Sequence, residues 1–287
     1  MAGRYIPDSE LIILNGRIYH LNLEPDMVAD TVIVVGDPDR VPKVSMYFDK
    51  VELQVASREL VTHTGYLGGK RISVISSGMG TDNVELLMTE LDALVNVDFE
   101  TRTVKKKLRS LDIIRIGTSG CLQGDIPIDA HLVSVAGLGL DTLMGFYQWK
   151  GLAEDEKETL KVQRLLGLPF KPYLARASEG LIAQIGHDMY QGVTITAPGF
   201  YGPQGRQVRL APAIPGFVDE LAKMKTPLGR FTNLEMETAG YYAMGSLLGH
   251  RMLSVNALIA NRATQNFSND HRQAVDSLIR QVLDRVV

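Results

Sequence analysis

The sequence predicts an α/β fold: one domain over residues 1–287 with a central twisted mixed β-sheet flanked by helices. Two patterns carry that prediction. Short β-branched apolar runs, bounded by Gly, Pro and Asp, alternate with longer stretches whose apolar residues recur at helical spacing. No linker, low-complexity segment or fixed-period repeat divides the chain. Strands that read as unbroken apolar runs are those of a sheet covered on both faces.

The elements follow in order. Thr31–Val35 (TVIVV) is an apolar run stopped by Gly36-Asp37-Pro38, a turn signal. Residues 61–67 and 71–76 bracket Gly68-Gly69 and read as a hairpin. Asp82 or Asn83 then caps a helix with Val84, Leu87, Met88, Leu91, Leu94 and Val95 on one face. Residues 112–116, 131–135, 192–196 and 252–259 are short buried-type strands, and residues 151–171 read as a surface helix plus loop. Phe231-Thr232-Asn233 reads as a turn before a helical run ending near Gly249. Asp270 opens the last helix, whose stripe from Ala274 to Val286 is core.

Composition narrows the function. Of 287 residues, 45% are hydrophobic and 22% charged, as in folded globular chains. A net charge of −3 argues against a protein held on nucleic acid by phosphate neutralisation, so any anion site is local. The single cysteine, Cys121, excludes an internal disulfide and suits a reducing compartment. The N-terminus lacks a secretory pattern and no apolar stretch approaches a membrane span, so the expectation is a cytoplasmic protein with neither nucleic acid nor membrane as partner.

Four segments carry chemistry. Gly36-Asp37-Pro38-Asp39-Arg40 follows a strand; Gly36 permits close backbone approach, and Arg40 offers a planar cationic fork for phosphate oxygens. In Arg115-Ile116-Gly117-Thr118-Ser119-Gly120 an arginine lies within an apolar strand. It reads equally as half of a buried salt bridge and as the cation of an anion site completed by Thr118 and a glycine-rich turn. The spacing fits neither a dinucleotide fingerprint nor a P-loop. Phe200-Tyr201-Gly202-Pro203-Gln204-Gly205-Arg206 places a ring, an amide and a guanidinium together; Phe200 stacks, Gln204 donates and accepts, and Arg206 only donates. Glu235-Met236-Glu237 sets two carboxylates at a helix start, where negative charge is favoured. A carboxylate accepts from two vicinal hydroxyls, and Met236 offers a soft surface to a sugar. Each segment, taken alone, also has an ordinary structural reading as a turn, a salt bridge or a helix cap. No nucleophile elbow, zinc motif or Cys–His pair appears.

Taken together and in this order, from Tyr19-His20-Leu21 through Ser57-Arg58-Glu59 and Ser77-Gly78-Met79-Gly80 to Asn261-Arg262, these segments resemble the nucleoside phosphorylase family, in its uridine phosphorylase branch. The resemblance implies that Gly36, Arg40, Arg115 and Thr118 bind inorganic phosphate, with Arg58 reaching in from a neighbouring subunit. It implies that Glu235, Met236 and Glu237 hold the ribose, with the neighbour's His20 near the 5′-hydroxyl. Gln204 and Arg206 would read uracil, with Phe200 beside it and the backbone near Gly120 assisting; Arg40, Arg115, Thr118, Arg206 and Glu237 would carry the catalysis. Purine-preferring relatives have an Asp after the late strand, where this chain has Asn261-Arg262, so a pyrimidine is implied. The expected reaction is phosphorolysis of uridine to uracil and ribose 1-phosphate, in pyrimidine nucleoside salvage. No metal or organic cofactor is implied, because phosphate is itself a substrate, and the expected assembly is a homo-oligomer with sites shared across a dimer interface. A hydrolytic nucleosidase or a purine-type phosphorylase of the same fold, and a non-catalytic nucleoside-binding protein, are the competing expectations.

Overall fold

Thr31–Val35 (β1) is buried along its whole length in the computed structural model, which describes residues 3–287. After it the chain turns through Gly36 and Asp37, whose side chain accepts from the Asp39 amide, into the short helix α1 (Val41–Ser45). Strands β2 (Lys50–Ser57), β3 (Leu60–Leu67) and β4 (Lys70–Ser76) form an antiparallel meander, the last two joined at Gly68-Gly69. Helix α2 (Thr81–Asn96) buries the apolar stripe read from sequence. Its cap differs from expectation. Neither Asp82 nor Asn83 caps it; Gly80, at φ 95°, turns the chain into the helix, and its N–H donates to a distant carboxylate, that of Glu237.

β5 (Asp112–Cys121) and β6 (His131–Gly139) follow, then helix α3 (Ala153–Leu166), β7 (Tyr173–Arg176), β8 (Tyr190–Thr196) and α4 (Phe217–Lys223). The chain closes with β9 (Gly229–Glu235), α5 (Thr238–Leu248), β10 (Arg251–Asn261) and α6 (His271–Val286). Two expectations are corrected here. Phe231-Thr232-Asn233 is no turn but the buried middle of β9, and Gly117-Thr118-Ser119-Gly120 is no glycine-rich turn but the second half of β5.

The reason lies in the topology. The strand order runs β9-β8-β6-β10-β5-β1-β4-β3-β2, and β9 also pairs with β5, so five strands close into a ring. Its interior carries a polar relay: Ser134 on β6 meets Thr194 on β8, Thr194 donates to Asn233 on β9 at 2.7 Å, and Asn233 donates to Ser119 on β5 at 2.9 Å. Polar residues in these strands are satisfied by one another, which apolar periodicity cannot foresee.

Apolar clusters cover both faces. α2 and α5 pack on one side of the sheet, α1 and α6 on the other, and α3 with α4 on the outer strands. Asp270 caps α6 by accepting from the Gln273 amide at 3.1 Å, as the sequence indicates. No helix among the described residues is long and apolar enough to cross a membrane.

The seating of α5 depends on one small residue. A Cβ on Gly137 of β6 would stand 2.7 Å from the Ala239 Cα, a backbone atom that has no rotamer by which to yield. Gly137→Ala is therefore expected to cost about 1–3 kcal/mol by overpacking, lowering the melting temperature by roughly 2–10 °C at this chain length. An unchanged melting temperature would show that α5 is not seated so tightly.

Candidate active site

The buried charges converge where the parallel strands end. β1, β5 and β10 run parallel in adjacent positions, with Val35 beside Ile116 and Gly117 beside Asn256. β1 stops at Val35, so Gly36 lies at the rim, while β5 continues past it toward β9. A crevice beyond the carboxyl ends of parallel strands is where open α/β sheets bind ligands.

Arg115, on β5, is almost wholly buried. Its Nη2 lies 2.5 Å from a Glu237 oxygen and 3.2 Å from a Glu235 oxygen, and its Nη1 donates to Ser254 and Asn256. Burial opposes its charge, but Glu235 and Glu237 outweigh that and hold its pKa above the ordinary value. Burial pushes the Glu237 carboxyl above the usual glutamate range, with Arg115 pulling the other way. Half-buried Arg40 donates to the Ile116 carbonyl at 3.3 Å, and burial together with nearby Arg115 lowers its pKa despite Asp37. Two guanidinium groups thus share one rim. The Thr118 hydroxyl, half-buried beside them, makes no hydrogen bond among the described residues.

The two carboxylates of Glu235-Met236-Glu237 do different work. Glu235 ends β9 and turns inward: its oxygens accept from Thr196 Oγ1 at 2.6 Å and from the amides of Glu237 and Thr238. With Arg115 added, the four acceptor positions of that carboxylate are filled. Glu235 thus binds the first amides of α5 with its side chain. Glu237 makes no capping bond to its own helix. One oxygen accepts from the Gly80 amide at 2.7 Å and the other from Arg115, leaving each oxygen one open acceptor position. Met236 is half-buried next to it.

The loop after β8 brings together the remaining residues read from sequence. Gln204 is buried, and its Oε1 accepts from Arg206 Nη1 at 2.5 Å. The Arg206 guanidinium lies 3.9 Å from the centre of the exposed Phe200 ring. Arg262, named in sequence only for following Asn261, belongs here too: it donates to the Gln204 carbonyl. Burial and then Arg262 depress the pKa of Arg206, so two guanidinium groups stand close together in this loop. Asn261 itself faces away, donating to the Gln123 and Ile126 carbonyls and accepting from the Ala263 and Thr264 amides. Gly120 pairs with Leu234 in the ring, and a Cβ there would meet open space. An apolar cavity of 770 Å³ borders Arg206 from outside but contains none of Arg40, Arg115 or Glu237.

His20 and Arg58 form a separate cluster. Tyr19 joins them, its ring edge-on to His20 at 4.8 Å and lying under the Arg58 guanidinium at 5.8 Å. No hydrogen bond links them to Arg40, Arg115 or Glu237 within the protomer.

The model of the phosphorylase superfamily matches residues 30–287. The chain belongs to the phosphorylase superfamily. Among its relatives, a protein named uridine phosphorylase from Thermococcus kodakarensis is 30% identical over 257 residues, covering 88% of this chain and 80% of the relative. One of the same name from Haemophilus influenzae is 28% identical, covering 88% and 90%. A solved structure of a Trypanosoma brucei nucleoside phosphorylase, described as showing uridine phosphorylase activity, superposes with a TM-score of 0.88 at 29% identity, covering 96% of this chain and 98% of that one.

The Arg115–Glu237 pair generates a stability prediction. Arg115→Ala leaves two buried carboxylates without their cation and should cost about 3–5 kcal/mol near neutral pH. Without Arg115, burial and the neighbouring Glu235 act on Glu237 against the Gly80 N–H alone, and its folded-state pKa rises further above the unfolded one. A raised pKa favours the folded state when the group is protonated, so stability is present at low pH and lost as pH rises through the folded value. The gap between variant and parent, measured by urea unfolding, should therefore narrow as pH falls from 8 toward about 5. A gap independent of pH would mean that lost packing, not charge, sets the cost.

Proposed function

We propose that this superfamily member catalyses the reversible phosphorolysis of uridine to uracil and ribose 1-phosphate. The observation that carries this reading is the junction of the Arg40–Arg115–Thr118 rim with the half-open carboxylate of Glu237: an oxyanion site and a diol acceptor side by side. The relatives named uridine phosphorylases support the choice of reaction.

In the proposed mechanism phosphate rests on the Gly36 backbone, Arg40, Arg115 and Thr118. It lies against C1′ of the nucleoside, and holding it there removes much of the entropic barrier to attack. The two open acceptor positions of Glu237 take the 2′- and 3′-hydroxyls, with Met236 beneath the sugar. As the C1′–N bond breaks, its electron pair moves onto the uracil ring while the sugar becomes oxocarbenium-like. Phosphate stabilises the cation on one side and Arg206 with Gln204 stabilises the departing base on the other. A phosphate oxygen then bonds to C1′, and the proton that the hydrogen phosphate gives up passes, directly or through solvent, to the departing uracil. Charge is met at both ends by side chains and substrate, so the mechanism calls for no organic cofactor.

Uracil presents two carbonyl acceptors and one N–H donor, which Gln204 and donor-only Arg206 complement. A purine leaves those groups unpaired, and polar sites reject such ligands strongly. Assays of nucleoside consumption with and without phosphate are expected to show turnover only with phosphate, and uridine cleaved at least about 100-fold better than inosine. Phosphate-independent release of uracil would establish a nucleosidase instead, and comparable inosine turnover would remove the base assignment.

The cluster of Tyr19, His20 and Arg58 supports a site completed across two subunits. Arg58 is exposed and His20 partly so, and neither is bonded to the carboxylates or arginines of its own crevice. A two-fold dimer would deliver the pair reciprocally, Arg58 to the phosphate and His20 to the ribose 5′-hydroxyl. Arg58→Ala and Arg40→Ala should each be nearly inactive as homo-oligomers. Unfolding and refolding them together makes mixed dimers with one doubly damaged and one intact site, so activity should return toward half of wild type per mixed dimer. Mixed dimers that form yet stay inactive would place Arg58 in its own subunit's site or outside any site.

A further inference from the structure

Glu90 is a buried carboxylate on the apolar face of α2, among leucines, and no lysine or arginine among the described residues pairs with it. Burying a charge among apolar side chains is costly unless it is hydrogen-bonded throughout. Its partners all come from one short stretch of chain. His20 Nδ1 lies 2.6 Å from Oε1, the Leu21 amide donates to Oε2 at 2.9 Å, and the His20 amide points at both oxygens at 3.2 Å.

We propose that Glu90 is a positioning residue, which fixes the orientation and tautomer of His20 for recognition of the nucleoside 5′-hydroxyl; this rests on the phosphorolysis reading and on delivery of His20 to a neighbouring site. A carboxylate only accepts, so the proton of a neutral His20 ring sits on Nδ1 and Nε2 carries a lone pair. That nitrogen has no partner among the described residues. It is therefore an acceptor held outward, able to receive the hydrogen of a hydroxyl and unable to donate to a carbonyl or phosphate. The same carboxylate pins the backbone at residues 20 and 21, so the ring is fixed at both ends. Such outer carboxylates set the tautomer and aim of histidines at metal sites, and the physics needs no metal. Tyr19 stands between the two, edge-on to His20 and under the Arg58 guanidinium, so Arg58 lies beside the ring that Glu90 holds.

Glu90→Gln is the informative change. The substituted amide would place its NH₂ group against an N–H whichever way it faced, because each Glu90 oxygen accepts from at least one donor. Kinetics are compared on uridine and 5′-deoxyuridine, which lacks the hydroxyl. In Glu90→Gln the KM for uridine should rise about tenfold, the loss of one well-aligned hydrogen bond, with kcat and the KM for 5′-deoxyuridine little changed. In a His20→Ala background Glu90→Gln should add nothing, and in Glu90→Gln with His20 intact ¹⁵N-detected imidazole spectra should lose the single Nδ1–H form of His20. Should Glu90→Gln fold poorly, Glu90→Asp, which keeps the charge but withdraws it by one methylene, should give the same KM split. Equal losses on the two nucleosides, or a loss that persists without His20, would make Glu90 a part of the fold only and overturn the proposal. If His20→Ala itself fails to distinguish the two nucleosides, the placement of His20 falls, and this inference with it; if neither nucleoside is phosphorolysed by the parent, the underlying reading has failed first.

Discussion

Arg115 is the cation that the buried half of this molecule is arranged around. It lies in the strand shared by the parallel sheet and the five-stranded ring, and it faces two carboxylates from the turn between β9 and α5. An unpaired guanidinium at that depth would be strongly destabilising. Together the three charges are each bonded, and the bonds reach further: Glu237 receives the first amide before α2, and Glu235 holds the first amides of α5. Two helices, one strand and the crevice are thereby set relative to one another by one ion cluster. A buried pair of this kind is a weak source of net stability. Its use is positional: Arg115 works against burial in favour of the Glu237 charge and leaves each oxygen of that carboxylate one open acceptor position.

The division of labour within Glu235-Met236-Glu237 follows from acceptor arithmetic. Two identical side chains two residues apart end in different states because one is saturated by backbone amides, a threonine hydroxyl and Arg115, while the other receives two donors. Helix capping and ligand binding are usually offered as competing explanations for an acidic residue at a helix start. Here the two carboxylates divide: Glu235 binds the first amides of α5, and Glu237 is left with an open acceptor position on each oxygen.

The closed ring accounts for the polar character of its strands. Ser119, Ser134, Thr194 and Asn233 form a continuous relay inside it, and Asn256 extends the relay to Arg115. Polar networks in a low-dielectric interior are favourable only when their members are satisfied. The ring supplies that satisfaction because β9 returns to pair with β5, which brings together strands that lie far apart in the chain.

The sequence by itself determined the elements whose signals are local. The apolar stripes of α2 and α6, the Asp270 cap, the Gly68-Gly69 hairpin and the turn after Thr31–Val35 all stand where periodicity and turn chemistry put them, since each depends on neighbours within a few residues. Order and spacing of short segments also pointed to the superfamily, and singled out both Arg115 and Glu237, which the fold brings into one buried ion pair. Only the tertiary structure decided the rest. Thr232-Asn233 and Gly117–Gly120 carry turn-like residues, yet they are strands, because ring closure satisfies polar groups that a local reading assigns to solvent. Arg262 joins the base end, Glu235 turns inward and Glu90 meets His20 through contacts spanning 58, 39 and 70 positions of the chain. Such partners have no imprint on local pattern, because hydrogen bonding between distant side chains constrains residue identity without imposing a period.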